Sequence, residues 1–238
     1  MSSPRGWLAH GYTVRALVRA ACRAKDFPAQ VQAVVGDVTR PGTLSAAVDG
    51  VDAIVFTHGS YGNPAAADAV DYGAVRNVLA ALGPCKARIA LMSTIGTTDR
   101  RGSHDWKPRG ERLVRASGLP YTIVRPAWFD HNRPDQLKLL MLQGDKELVG
   151  NPSDGVIARH QIAEVLVRSL SSEAALRKTF ELHAETGLEQ ADFDTVFAPL
   201  ATDPVGALDG ANDKPNMPLK QEPEAIRVAL QTIRNCAA

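Results

Sequence analysis

The sequence predicts a doubly wound α/β fold with a mostly parallel sheet, on three observations. Short β-branched runs alternate with longer amphipathic stretches, the rhythm of a parallel sheet with helices on both faces. One run, Ala53-Ile54-Val55-Phe56, is almost wholly apolar, as a strand covered on both faces must be. The chain's 238 residues, 45% apolar and 22% charged, suffice for a sizeable core.

Taken in order, residues 13–18 alternate like a strand and end at Arg19. Residues 31–35 form a second strand, closed by Gly36 and Asp37. Thr39-Arg40-Pro41 opens a helix, with Pro41 in the first turn where its missing N–H costs nothing. That helix runs through Leu44 and Val48 to Gly50, and residues 53–56 follow as the third strand. Between 65 and 82, Val70, Ala74, Val75, Val78, Leu79 and Leu82 share one helical face. Residues 88–92 are the fourth strand and 109–116 a helix stopping at Ser117-Gly118. Residues 120–124 are the fifth strand, Ile162, Val165, Leu166 and Leu170 mark a helix, and residues 179–182 are another strand.

Beyond Glu185 the rhythm changes. Residues 199–223 hold five prolines and turn signals at Gly206 and Gly210, an irregular acidic stretch, and 224–233 reads as a last helix. The organisation expected is a domain over 1–184 and an extension, 185–238, packed on it.

The formal charge is +1, from 27 Lys and Arg against 26 Asp and Glu, which argues against a nucleic-acid protein. Nine acidic and two basic residues between 185 and 225 concentrate a net −7 there. No apolar run reaches the ~18 residues of a membrane span, and Met1-Ser2-Ser3-Pro4-Arg5 lacks a signal peptide's apolar core, so a cytoplasmic location is the expectation. Cys22, Cys85 and Cys236 have neither disulfide nor metal-ligand spacing, and no metal is expected.

Ligands of such sheets sit beyond the carboxyl ends of the strands. Arg19 follows the first strand, either as a cation for the 2′-phosphate of NADP or, with Arg23 and Lys25, as a solvated basic loop. Asp37, with Val38 after it, caps its turn, borders an adenine, or does both. Thr57-His58-Gly59-Ser60 is a small-residue turn that lets a cofactor approach the backbone, though His58 alone reads more naturally as structural. Ser93 and Thr94 offer hydroxyls to a substrate carbonyl, or simply form a turn. Pro126, Trp128 and Phe129 make either a wall for a flat ring or a lid on the core. Leu139, Leu140 and Met141 line a pocket or belong to a core-facing helix.

In order and spacing, several segments resemble the atypical short-chain dehydrogenase/reductases, the NmrA-like NAD(P)H-binding group. They are Val14-Arg15-Ala16-Leu17-Val18-Arg19, Val35-Gly36-Asp37-Val38, Gly50-Val51-Asp52-Ala53-Ile54-Val55, Asp71-Tyr72-Gly73-Ala74-Val75-Arg76-Asn77-Val78-Leu79, Lys107-Pro108-Arg109-Gly110-Glu111 and residues 117–126, a likeness over roughly 8–184. The resemblance implies a Rossmann-like fold and an oxidoreductase using NADPH in preference to NADH. It puts Arg19 at the 2′-phosphate, Asp37 and Val38 at the adenine, and Thr57, His58 and Gly59 beside the ribose and pyrophosphate. It gives Ser93 or Thr94 the carbonyl, makes Lys107 the family lysine, and sets Pro126, Trp128 and Phe129 beside the nicotinamide.

Two departures accompany the likeness. The family opens with a strand and a glycine-rich turn that binds the pyrophosphate, whereas residues 1–11 look like only the tail of the first helix. A start truncated relative to the family is therefore expected. It leaves the strands at 13–18 and 53–56 unpaired where the central strand belongs. Ser103 stands in place of the catalytic tyrosine, and a serine hydroxyl cannot match a phenol whose pKa a lysine lowers. The expected function is hydride transfer to a small carbonyl or quinone-like substrate. The alternatives are a cofactor-binding sensor without turnover and a member with impaired cofactor binding.

Overall fold

The computed structural model describes residue 8 and residues 10–60, 62–146 and 148–237, except for the side chains of Ser103 and Ala237. Apart from Leu8, His10 and Gly11, the expected helix tail lies outside the described residues.

The strands are β1 (Arg15–Val18), β2 (Gln32–Val35), β3 (Ala53–Phe56), β4 (Arg88–Met92), β5 (Tyr121–Pro126), β6 (Trp128–Phe129), β7 (Lys138–Leu142), β8 (Val156–Ile157) and β9 (Lys178–Glu185). Five of them form one sheet in the order β3-β4-β5-β9-β7, parallel except for β7, which runs antiparallel to β9. The structure thus bears out the doubly wound, mostly parallel Rossmann-like sheet.

β1 and β2 pair in parallel as a separate ribbon, and β6 pairs with β8. Among the described residues no strand bridges β1 and β3. The β1–β2 ribbon and the five-stranded sheet are separate among the described residues.

The helices are α1 (Ser45–Val48), α2 (Pro64–Ala67), α3 (Gly73–Leu82), α4 (Trp106–Ala116), α5 (Arg159–Ser169), α6 (Asp194–Phe197) and α7 (Glu224–Ala237). Successive strand residues point to opposite faces, and each face has its own core. Ile89 and Leu91 of β4 pack with Val75 and Val78 of α3, Leu113 of α4 and Leu230 of α7. Ala90 of β4 and Phe180 of β9 pack with Val165 and Leu166 of α5 and Phe197 of α6. Leu17, Leu44 and Val48 join the first core and so fasten the β1–β2 ribbon to the larger sheet. Arg15 adds donors to the carbonyls of Ala46, Ala47 and Asp49, a cation at a helix C-terminus.

Two elements differ from the sequence reading, and a third has partners the sequence did not name. The apolar run at 137–142 is the strand β7, paired with β9, and Leu139 belongs to the second core. The stretch 65–82 is interrupted by a π-helical turn, Asp68–Tyr72, between α2 and α3. The acidic stretch after 199 is bound by arginines: Arg112 to Asp209, Arg115 to Asp203, Arg125 to Asp213 and Arg109 to Glu222. Arg109, Arg112 and Arg115 recur at every third position of α4 and so share a face. Among the described residues no helix is long and apolar enough to cross a membrane.

Candidate functional site

The carboxyl ends of β1 and β2 lie side by side, since the amide of Gly36 continues their ladder by donating to Val18 O at 2.9 Å. A Cβ on Gly36 would stand 2.6 Å from Thr43 O, so only glycine fits. Asp37 Oδ1 accepts from Thr39 N at 2.9 Å and Thr39 Oγ1 at 2.7 Å, and Asp37 N donates to Thr43 Oγ1. The Thr39 donors, with Arg40 and Arg19 nearby, outweigh burial and hold the Asp37 carboxyl below its usual range. Of the roles weighed for Asp37, turn capping is the one seen. Buried Asn77 of α3 fixes the next residue, donating from Nδ2 to Val38 O at 2.8 Å. Arg19 is exposed.

After β3, Thr57 is exposed, and His58 stacks edge-on against Phe56 with ring centres 5.5 Å apart. Burial and the neighbouring Lys107 ammonium lower the imidazole to about 4, so it is neutral at pH 7. Lys107, in the first turn of α4, donates from Nζ to Asp71 Oδ1 at 3.1 Å. Asp71 also accepts from Ser60, whose N lies 3.0 Å from Oδ1 and whose Oγ lies 2.5 Å from Oδ2. Gly59 borders this pair: a Cβ there would lie 3.7 Å from Asp71 Oδ1 and 3.9 Å from Lys107 Nζ, covering both. The guanidinium of Arg109 sits 4.8 Å over the Trp106 ring and steadies the start of α4. Ser103 lies in the 3-10 turn Gly102–Asp105 just before it.

After β4, Ser93 N continues the ladder to Val124 O at 2.7 Å. Ser93 Oγ is buried beside the Glu111 carboxylate, outside the geometry of a well-formed hydrogen bond. Thr94 is half-buried, and its carbonyl accepts from Thr97 Oγ1. Asp145, itself buried, clamps the turn that follows by accepting from Gly96 N at 2.6 Å and Thr98 N at 2.7 Å.

At the end of β5 Pro126 is buried, whereas Trp128 just beyond it presents an indole and is 38% exposed. Its Nε1 donates to Asp154 Oδ2 at 3.4 Å. The Asp154 carboxylate also gathers the amides of Val149, Gly150 and Asn151. Leu148 packs on Gly96, where a Cβ would stand 2.7 Å from Leu148 Cδ2. Asp145, Leu148 and Asp154 therefore strap the turn after β4 to the aromatic pair after β5. Arg159 lies 5.2 Å over the Phe129 ring.

Thus Thr57, His58, Gly59 and Lys107 meet at one place, Ser93 and Thr94 stand at the end of the adjacent strand, and Trp128 and Phe129 follow β5. Arg19, Asp37 and Val38 stand on the separate ribbon. Asp71, Asp145 and Asp154 escaped the sequence reading, and Ser60 entered it only as the last residue of the small-residue turn. Asp71 lies inside the segment 71–79 that carries the family likeness, and that was its only signal. Nothing in residue type or spacing marked Asp145 and Asp154.

A family model described as NAD(P)H-binding matches residues 6–173. The chain is 26% identical over 223 residues to an uncharacterized chloroplastic protein of Arabidopsis thaliana, covering 80% of this chain and 68% of that one. It is 24% identical over 240 residues to sanguinarine reductase of Eschscholzia californica, covering 80% and 87% respectively. Its fold is similar to that of the oxidoreductase ylbE from Lactococcus lactis, with a TM-score of 0.64 at 17% identity over 83% of this chain and 89% of that one. With the family model matching most of its length, the chain belongs to the NAD(P)H-binding family, and its mostly parallel sheet fits the resemblance to the atypical short-chain dehydrogenase/reductases.

Proposed function

We propose that the protein is an NADPH-dependent reductase that delivers hydride to a small carbonyl or quinone-like substrate held against Trp128. The observation that carries this reading is the Lys107 ammonium, set by Asp71 against the open backbone of Gly59 at the end of β3. The family match and the similarity to a reductase support it.

The residues suit a dinucleotide. Gly59, lacking a Cβ, puts no side chain over the mostly buried pair, of which Lys107 keeps 16% of its side chain exposed, and the exposed Arg19 stands near the Asp37 turn, where a 2′-phosphate would select NADPH. Val38 and Asp37 border the adenine, and Thr57, His58 and Gly59 run beside the ribose and pyrophosphate. Pro126, Trp128 and Phe129 flank the nicotinamide. When bound, that cofactor supplies the hydride and the protein supplies position and polarity.

Half-buried Thr94, rather than Ser93 with its hydroxyl beside Glu111, donates to the substrate oxygen. Lys107 steadies the ribose hydroxyls or passes a proton to that oxygen as the carbonyl carbon is reduced. His58, neutral at pH 7, adds no charge of its own. A sensor that binds cofactor without turnover is the second reading, favoured by Ser103 in the tyrosine position. NADPH oxidation in the presence of quinones and aldehydes separates the two. Turnover that falls in Thr94→Val and Lys107→Met supports the reductase, and tight binding with no turnover supports the sensor.

A further inference from the structure

Asp71 is almost fully buried, with 3% of its side chain exposed, in the π-helical turn between α2 and α3. Single π turns inside helices are frequent at functional sites. Here the turn carries the carboxylate toward the end of β3, where it collects donors from Ser60 N, Ser60 Oγ and Lys107 Nζ. Burial raises the Asp71 pKa, but the Lys107 ammonium and the Ser60 donors outweigh it and the net effect is a lowering, so the carboxylate is ionised.

The approach of α4 is part of the device. A Cβ on Gly110 would stand 3.0 Å from Asp71 O, a backbone atom that cannot swing aside. Glycine at 110 therefore lets α4 settle on the π turn and brings Lys107, about one turn earlier, within reach of Asp71. The two Ser60 donors keep the carboxylate from rotating away.

We propose that Asp71 is the positioning residue for Lys107, fixing its ammonium at Gly59 so that the remaining N–H groups face vicinal hydroxyls of a bound dinucleotide. A lysine is a mobile point charge on a four-carbon stem. With one of its three N–H donors held by a carboxylate, it becomes a directed donor. The pair is neutral overall, which suits uncharged hydroxyls better than phosphate. The proposal deepens the cofactor reading of this site and rests on it.

The test has a ligand-free arm and a binding arm. Lysines are labelled by reductive methylation with carbon-13, and the Lys107 resonance is assigned by its absence in Lys107→Arg. The proposal expects this resonance to shift in Asp71→Asn. In the binding arm, NADPH binds about tenfold more weakly to Asp71→Asn, the scale of one charge-assisted hydrogen bond. The Asp71→Asn, Lys107→Met double variant loses no more than Lys107→Met alone. A Lys107 resonance unchanged in Asp71→Asn, or fully additive losses, would overturn the proposal. If Asp71→Asn fails to fold, Gly110→Ala, which pushes α4 away and leaves the carboxylate intact, is expected to move the same resonance. An unmoved resonance there counts against the proposal. A parent protein that binds no NADPH refutes the cofactor reading, and the ligand-free arm still decides whether Asp71 governs Lys107.

Discussion

Glu111 of α4 and Arg125 of β5 form a two-pronged ion pair, with Nη2 2.7 Å from Oε2 and Nε 3.1 Å from Oε1, each side chain about 1% exposed. Arg115 approaches the same carboxylate at 3.2 Å, and Asp213 binds the far side of Arg125. The Glu111 carboxylate of this cluster lies beside the Ser93 hydroxyl. Removing one member of such a buried pair strands a charge and costs about 3–5 kcal/mol. Glu111→Gln is expected to lower the urea midpoint by that order, and a loss below about 1 kcal/mol would contradict this account of the cluster.

The same carboxylate sets an acid limit. Burial raises the Glu111 pKa, but Arg125 and Arg115 outweigh it and bring it to about 2, below its unfolded value of 4.5. A group with a depressed folded pKa contributes its full stability above the unfolded pKa and loses it as pH falls toward the folded one. Stability of the parent protein is expected to decline between pH 4.5 and 2, more steeply than in Glu111→Gln. Parallel profiles would show that Glu111 carries no such linkage.

Glu181 of β9 runs the opposite way. Burial, with Asp145 and Asp213 adding repulsion, raises its carboxyl to about 7 despite Arg125. The folded state then binds more protons than the unfolded one between pH 4.5 and 7. Stability therefore falls as pH rises through that interval and stays lower above it. Glu181→Gln is expected to match the parent at the acid end and exceed it at pH 8. Equal urea midpoints at pH 8 would refute this.

The acidic stretch after 199 offers a contrast between two aspartates. Asp203 is fully buried and accepts from Arg115, Tyr121, Thr179 and the Ala211 amide. Asp209 pairs with Arg112 but keeps 42% of its side chain exposed. Asp203→Ala is expected to cost about 3 kcal/mol or more, with little dependence on salt. Asp209→Ala leaves the buried Arg112 guanidinium with Met217 O as its remaining acceptor, and is expected to cost about 1–3 kcal/mol, less than Asp203→Ala and more dependent on salt. Equal losses would show that burial does not set the strength of these bonds.

β1 to β5 and β9 were legible because each is a short β-branched or apolar run, as Ala53–Phe56 and Arg88–Met92 are, whereas the two-residue strands β6 and β8 were too short to show. Leu139, Leu140 and Met141 were ambiguous because an unbroken apolar run fits a buried helix as well as a strand, and only pairing with β9 decides. The π turn left no trace in the apolar spacing of 65–82, so Asp71 looked like one more polar residue. Asp203, Asp213 and Glu222 went unnamed within the acidic extension because a sequence cannot show which arginines of the domain it closes on. Asp145 and Asp154 were invisible because their partners are backbone amides, which every residue but proline has.

Calorimetric titration of the purified chain with NADPH and with NADH tests the central claim most directly. Micromolar binding of NADPH, much weaker binding of NADH and loss of that preference in Arg19→Ala are the predicted results. A folded chain that binds neither nucleotide would contradict the account.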